Sequence, residues 1–454
     1  MGRPTVPSER APMKPDATIR PEGLSVPSGR LSRLARFGGV AGSLAGGVAL
    51  GAAREAVAGR RPRLADLLLT PANAARFARE LSHLRGAAMK MGQLLSMDAG
   101  EMLPPEIAEA FAHLRADAQH MPPKQLRAAL DRRWGRGWLD RFERFDPRPM
   151  AAASIGQVHR ATTKDGRDLA IKIQYPGVRE SIDSDVANMA TLIRMAGAPP
   201  EGLDMGPLLD EARRQLRDEA DYAREGAYLD RYGALLADDP DFVVPRRHAD
   251  FTTEDVLAMD FVAGAPVEAA AEAPQAERDR IAERLIDLAL RELLDFRLMQ
   301  TDPNFANYRW DREAGRIVLL DFGAAREIPA AVAEGYGAMI RASLDGDVAA
   351  IREGLIAMGL LDRAAATRRA GELDAMIRLG VETLAAGGPY DFGADPVSRR
   401  LRDDGVALAS DREFWRAPPA DPLFVQRKLA GMHLLANRLR ARVDVRALLE
   451  RRLG

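Results

Sequence analysis

Residues 301–307 read Thr-Asp-Pro-Asn-Phe-Ala-Asn, and residues 319–323 read Leu-Leu-Asp-Phe-Gly. Asp302 and Asn307 stand five positions apart, and Asp321 follows Asn307 by fourteen. Between them, Asn307 to Arg309 and Ile317 to Leu320 flank the turn Asp311-Arg312-Glu313-Ala314-Gly315, which predicts a strand, a turn and a second strand. Two carboxylates and an amide in this order suit phosphoryl transfer. That reaction asks for oxygens that hold magnesium against phosphates, and for a group that orients the attacking hydroxyl or water. The competing reading is a pair of turns capped by Asp and Asn, a common use of both residues.

The spacing is that of a kinase catalytic loop, D-x-x-x-x-N, followed by D-F-G. Working outward, Leu169-Ala170-Ile171-Lys172 has the form of the kinase strand that carries a phosphate-binding lysine. Ile155 to Ala161 and Asp168 to Gln174 read as strands joined by the turn Lys164-Asp165-Gly166. A lysine in an apolar strand needs an anionic partner, because an unpaired buried charge is costly. Met205 to Tyr232 predicts one long amphipathic helix that offers Glu211, Glu219 and Glu225. At 100° per residue Asp221 and Glu225 share a face and Glu219 lies about 200° from Asp221, so a regular helix cannot aim all three acids at one site. Spacing alone leaves the partner open, and a solvated helix face is the ordinary alternative for each acid.

Phe242 to Pro245 and Asp255 to Val262 read as further strands, and helices dominate from Gln275. The chain is expected to be α+β, an atypical protein-kinase-like fold of two lobes. Residues 145–262 form the small lobe and residues 263–454 the helical large lobe. Two kinase parts are missing. No G-x-G-x-x-G precedes Lys172 and no A-P-E follows Asp321; the expected glycine loop reads Ala151-Ala152-Ala153-Ser154-Ile155-Gly156-Gln157-Val158. Alanine restricts positive φ, so this loop should wrap phosphates less freely than glycine would.

The remaining composition excludes several classes. Of 454 residues, 46% are hydrophobic and 29% charged, enough for a sizeable core. A net charge of -1 argues against a general nucleic-acid binder. The chain has no cysteine, which removes disulfides, thiolate metal sites and a Cys nucleophile. Its six histidines form no close ligand pair, and His159 reads as structural. Residues 1–36 carry seven basic residues against three acidic ones and read as a mobile arm. Phe37 to Ala53 is uncharged, with glycines at 38, 42, 46, 47 and 51 in G-x-x-x-G steps. Residues 37–61 therefore fit either membrane association or a Gly/Ala linker. Residues 62–144 read as helical, including an apolar stripe through Phe77, Leu81, Leu84, Ala88, Met91 and Leu95.

In combination these residues resemble the UbiB family of atypical kinase-like proteins, also called coenzyme Q kinase-like ATPases. Four features carry the resemblance: Lys90-Met91-Gly92-Gln93 (KxGQ) in the helical extension; Ala151 to Ser154 with the following IGQVH; Glu219-Ala220-Asp221 (ExD); and the TDPNFAN…LLDFG pair. It covers roughly residues 62–440 and is similar to the mitochondrial-type branch and its bacterial relatives. The bacterial branch implies two C-terminal membrane helices, whereas Leu449-Glu450-Arg451-Arg452 is charged and reads as no span.

The resemblance implies roles for this chain. Lys172 would bind ATP phosphates and pair with Glu225. Ala151, Ala152, Ala153 and Ser154 would cover the phosphates. Met259, Asp260, Phe261 and Val262 would form the hinge that takes adenine on backbone groups. Asp302 would be the base, and Asn307 and Asp321 would hold Mg²⁺. Lys90 and Gln93 would reach the nucleotide cleft from an extension that lies where a peptide substrate would bind, and Glu219 and Asp221 would meet that extension. The expected function is an ATPase that supports ubiquinone or another isoprenoid-lipid pathway. Its expected partners are a membrane surface, quinone or isoprenoid precursor lipids, quinone-biosynthesis enzymes and a second copy of itself, with no nucleic acid. Its expected place is the cytoplasmic face of a bacterial inner membrane rather than the mitochondrial inner membrane. A phosphotransferase acting on a protein or small molecule, and a nucleotide-switched scaffold, are the alternatives.

Overall fold

The structure, a computed structural model, describes residues 120–195, 206–385, 387–395, 397 and 419–453. The basic arm, the Gly-rich segment and the KxGQ residues Lys90 and Gln93 lie outside the described residues. Helix α1 (Pro123–Trp134) starts on a proline at its first position and ends with Arg132 and Arg133 before Gly135 at φ 81°. Proline costs nothing at the start, and basic side chains suit the negative end of the helix. The chain then makes a 3₁₀ turn at Trp138–Arg141 and strand β1 (Phe142–Phe145). The expected helical run to residue 144 therefore stops ten residues early, at the glycine pair Gly135 and Gly137, both at positive φ.

Strands β2 (Ala151–Ala153), β3 (Gly156–Thr163) and β4 (Asp168–Gln174) follow, with Gly166 at φ 86° in the expected turn. Alternation along β4 sorts its side chains. Leu169, Ile171 and Ile173 are buried with Leu126, Leu130, Trp138, Phe142 and Phe251 in a core on the α1 side of the sheet. Lys172 therefore points to the opposite face. Helix α2 (Val178–Met195) comes next.

The single helix expected over 205–232 is two: α3 (Gly206–Glu219) and α4 (Tyr222–Leu235). Asp221 makes the break. Its carboxylate accepts the Arg224 N–H at 3.0 Å, so it caps α4 instead of continuing α3. The Tyr222 N–H leaves the helical pattern for the Glu254 carbonyl.

Strand β5 (Phe242–Val243) pairs in parallel with a later strand of the large lobe, while β6 (Val256–Asp260) completes the small-lobe sheet. That antiparallel sheet runs β1-β3-β4-β6, with β2 on β3. After β7 (Ala265–Pro266) the long helix α5 (Gln275–Leu294) begins the large lobe. Arg297, at φ 47°, reverses the chain into β8 (Leu298–Gln300). Strands β9 (Tyr308–Asp311) and β10 (Arg316–Leu319) form the expected hairpin, and β11 (Ala325–Glu327) pairs with β8.

Helices α6 (Ala330–Asp345), α7 (Val348–Ala357), α8 (Arg363–Arg368) and α9 (Ala370–Ala385) follow. Strand β12 (Tyr390–Asp391), helix α10 (Ala420–Leu439), strand β13 (Arg442–Val443) and helix α11 (Val445–Leu453) end the chain. A β-rich small lobe joined to a helical large lobe is the two-lobed kinase-like architecture. Among the described residues no helix is long and apolar enough to cross a membrane.

Candidate active site

Strand β4, helix α4 and the segment after β10 converge at Lys172. Its ammonium donates to both oxygens of Glu225, at 2.8 and 2.9 Å, and to Asp321 Oδ2 at 3.0 Å. The Lys172 and Glu225 side chains are 6% and 1% exposed, whereas Asp321 is 34% exposed, so the cluster is sealed on the helix side and open on the Asp321 side. Tyr222 closes it further, its ring 5.0 Å from the ammonium. Burial opposes the charge on Lys172, but Asp321 and Glu225 outweigh it and hold the ammonium well above the ordinary lysine pKa. Burial pushes the Glu225 carboxyl up to about 7 against the pull of Lys172. Lys172 thus stays a fixed cation, and Glu225 is the member that titrates near neutrality.

The helix break resolves the geometry that a regular helix forbids. Glu219 ends α3 and accepts from Ser154, while Glu225 sits in the first turn of α4 and takes Lys172. Asp221 spends a carboxylate oxygen on the cap between them. Arg224, next to Glu225, donates to the Gly323 and Ala325 carbonyls at 3.0 and 2.7 Å and so ties α4 to the segment after Asp321.

In the catalytic loop Asn304 caps the 3₁₀ turn Phe305–Asn307 by accepting the Ala306 N–H. Asn307 Nδ2 lies 3.4 Å from both the carbonyl and Oδ2 of Asp302, which leaves the Asn307 amide oxygen as its remaining acceptor. The Leu320 N–H donates to the Asn307 carbonyl, which sets Asp321 beside Asn307. Asp321 in turn accepts the Gly323 N–H, and Phe322 is buried. Hydrogen bonds therefore join Asp302 to Asn307, Asn307 to Leu320 next to Asp321, and Asp321 through Lys172 to Glu225. Thr301 fixes the start of the loop, with Oγ1 donating to the Ala324 carbonyl at 2.9 Å.

The alanine segment is a strand. Ala151, Ala152 and Ala153 pair with Val158, Gln157 and Gly156, and none of residues 151–154 takes positive φ. Ser154 and Ile155 form the hairpin tip. Gly156 has no room for a side chain: a Cβ there would overlap the Ile173 carbonyl and the Tyr222 hydroxyl. Gln157 and His159 serve structure. Gln157 accepts the Met121 N–H at 2.7 Å and donates to His159 Nε2, while His159 Nδ1 donates to the Asp146 carbonyl. Burial lowers the His159 pKa and keeps the ring neutral.

Within the expected hinge, two backbone donors are already engaged. The Asp260 N–H donates to the Arg246 carbonyl, the Phe261 N–H to the Asp168 carbonyl, and the Asp260 carboxylate is taken by His248 at 2.7 Å. Sheet pairing thus consumes two of the donors that Met259 to Val262 were expected to offer adenine.

A profile of the ABC1 atypical kinase-like domain matches residues 113–355. The chain belongs to the ABC1 atypical kinase-like family. Relatives of this ABC1 protein include the rat atypical kinase COQ8B, mitochondrial, 38% identical over 96% of this chain and 83% of the rat protein. The baker's yeast atypical kinase COQ8, mitochondrial, is 35% identical over 92% of this chain and 84% of its own length. Among solved structures, the erythromycin complex of Rv3197 from Mycobacterium tuberculosis superposes with a TM-score of 0.57 at 27% identity. It covers 82% of this chain and 93% of the mycobacterial one.

The ABC1 family is one of kinase-like enzymes, so phosphoryl transfer from ATP is the reaction class. The donor set fits. No cluster of three His, Cys, Asp or Glu that could hold a metal occurs among the described residues. A kinase magnesium site needs none, because one carboxylate, one amide oxygen, phosphate oxygens and waters suffice. Sequence reasoning missed Arg224, Tyr222 and Thr301, which act through backbone carbonyls or a ring face and leave no spacing signal. It also missed Gly431 on α10, where a Cβ would overlap Pro303 of the catalytic loop.

Proposed function

We propose that this ABC1 family member binds Mg-ATP in the cleft of Lys172, Asp302, Asn307 and Asp321 and hydrolyses it to support ubiquinone or related isoprenoid-quinone synthesis at a membrane. The observation that carries the reading is Lys172 shared between Glu225 and Asp321 at 2.8 and 3.0 Å. A lysine so held presents fixed positive charge to phosphates without reorganising at the moment of reaction. Magnesium, when bound, neutralises charge on the phosphates. The Asn307 amide oxygen and the Asp321 carboxylate would hold it. Asp302, at the mouth of the loop, would orient the attacking hydroxyl or water and take its proton. Val262, past the consumed donors of Asp260 and Phe261, would supply the hinge N–H for adenine. Ala151 to Ser154 would cover the phosphates, and Lys90 and Gln93 would close the cleft from the extension.

Water is favoured over a peptide as acceptor because no A-P-E follows Asp321 to build a peptide platform and the segment before Lys172 is alanine-rich, its tip tied to Glu219. The mitochondrial atypical kinases among the relatives support the quinone assignment. The Gly-rich segment supports attachment to a membrane, docking with quinone or isoprenoid precursors and quinone-biosynthesis enzymes, and self-association through its G-x-x-x-G steps. We place the protein on the cytoplasmic face of a bacterial inner membrane rather than in mitochondria, on its Ala- and Arg-rich composition.

The test is phosphate release from labelled ATP, with and without magnesium, anionic liposomes and a phenolic quinone precursor. The expected result is magnesium-dependent free phosphate that rises with liposomes and phenol. Label transferred to a protein or small molecule from cell extract would instead make the chain a phosphotransferase. A thermal shift with Mg-ATP and no turnover under any activator would make it a scaffold.

A further inference from the structure

Behind the catalytic loop lies a second buried ion pair that the chemistry above does not use. Glu292 on α5 and Lys428 on α10 are each 1% exposed, with Lys428 Nζ 3.0 Å from Glu292 Oε2. Each partner also reaches one end of the loop. Glu292 Oε1 accepts the backbone N–H of Gln300, the last residue of β8, at 3.3 Å. Lys428 donates to the hydroxyl of Tyr308, which follows Asn307, at 2.9 Å. The loop 301–307, with Asp302 and Asn307, hangs between these two anchors. Glu292 Oε1 also accepts the hydroxyl of Tyr232 at 2.8 Å. Tyr232 stands seven residues after Glu225, two turns along the same face of α4, and its ring packs 4.6 Å from Phe322 of the DFG triplet.

We propose that Glu292 and Lys428 are positioning residues: one buried pair sets both ends of the catalytic loop and, through Tyr232, the helix that delivers Glu225 to Lys172. A buried ion pair adds little net stability compared with apolar side chains of the same size. Stability alone therefore gives no reason for two charges inside the large-lobe core. Geometry does, because the pair joins α5 and α10 to β8 and β9 at the two ends of the loop and to α4 through Tyr232, and small displacements at a phosphoryl-transfer site cost rate. Lys428 is held charged although burial opposes it, because Glu292 and Tyr308 outweigh that cost.

The proposal rests on the phosphoryl-transfer reading above, so its test carries a readout independent of turnover. The variants are Tyr232→Phe, which removes one hydroxyl and keeps the ring on Phe322, and the paired change Glu292→Leu with Lys428→Met, which removes both charges together. Steady-state kinetics with Mg-ATP, thermal melting and amide hydrogen exchange over residues 298–308 are measured on the full chain. The expected result is a kcat lower by about tenfold or more in the paired variant, with KM for ATP within about threefold and melting near wild type. Exchange across 298–308 rises in both variants. Wild-type kcat together with wild-type exchange in Tyr232→Phe, or in a folded paired variant, overturns the proposal. If the paired variant does not fold, Tyr232→Phe decides alone. If wild-type protein itself releases no phosphate, the enzymatic reading fails, while exchange still decides whether the pair orders the loop.

Discussion

Lys172 and Glu225 show how a single pair couples stability to rate. Removing Lys172 leaves Glu225 buried without its main cation, a defect worth about 3–5 kcal/mol. Lys172→Met should therefore unfold at lower urea and lose turnover. Adding Glu225→Leu should restore most of the stability and none of the turnover, as urea titration and phosphate release would show. The pH dependence follows from Glu225. In the folded chain burial keeps its proton bound up to about pH 7, whereas an ordinary glutamate releases it near 4.5. Across that window the folded state binds more protons, so the contribution of Glu225 to stability falls as pH rises. Activity runs the other way, because the ionised carboxylate is the one that holds Lys172. Phosphate release should rise through about pH 7 in wild type, and Glu225→Gln should lack that limb; an unchanged limb in the variant would assign it to another group. At this scale the convergence of Lys172 and Asp321 is legible in the sequence, because each follows from a strand of fixed direction. The choice of Glu225 over Glu219 is legible only through resemblance, since it depends on a helix break.

That break belongs to the scale of elements. Periodicity runs unbroken from 205 to 232 because both helices bury the same kind of apolar stripe, and only the cap at Asp221 separates them. Asp221→Ala should cost about 0.5–2 kcal/mol by loss of the cap. It should also weaken ATP binding, because α4 would no longer start where Glu225 meets Lys172; a melt and an ATP titration check both. Strands β8 and β11 escaped the sequence reading for a related reason. Leu298–Gln300 is fully buried and only three residues long, too short to show alternation, and its entry depends on Arg297 at positive φ. Helix α10 passes so close to the catalytic loop that Gly431→Ala should push Pro303 outward. The expected effect is a lower kcat with little change in KM for ATP. An unaltered kcat would show that the loop yields without consequence.

At the scale of the whole molecule, the proposed function assigns ATP to the cleft and membrane attachment to the N-terminal region. A truncation lacking residues 1–60 should keep basal, magnesium-dependent turnover and lose its stimulation by anionic liposomes. Equal stimulation with and without those residues would place membrane recognition on the folded lobes. The kinase-like architecture is legible from the two motif segments and the order of elements, because strand pairs and an acid-bearing helix upstream of the loop leave few other arrangements. The membrane role is less legible, because Phe37 to Ala53 contains too few large apolar side chains for composition to separate a membrane segment from a linker. The most direct measurement is magnesium-dependent phosphate release from ATP by wild-type protein and by Asp321→Asn, at matched folding and with liposomes present. The account predicts robust release by wild type and a loss of about a hundredfold or more in the variant. Equal rates would contradict it, because metal and lysine would then both act without the carboxylate that joins them.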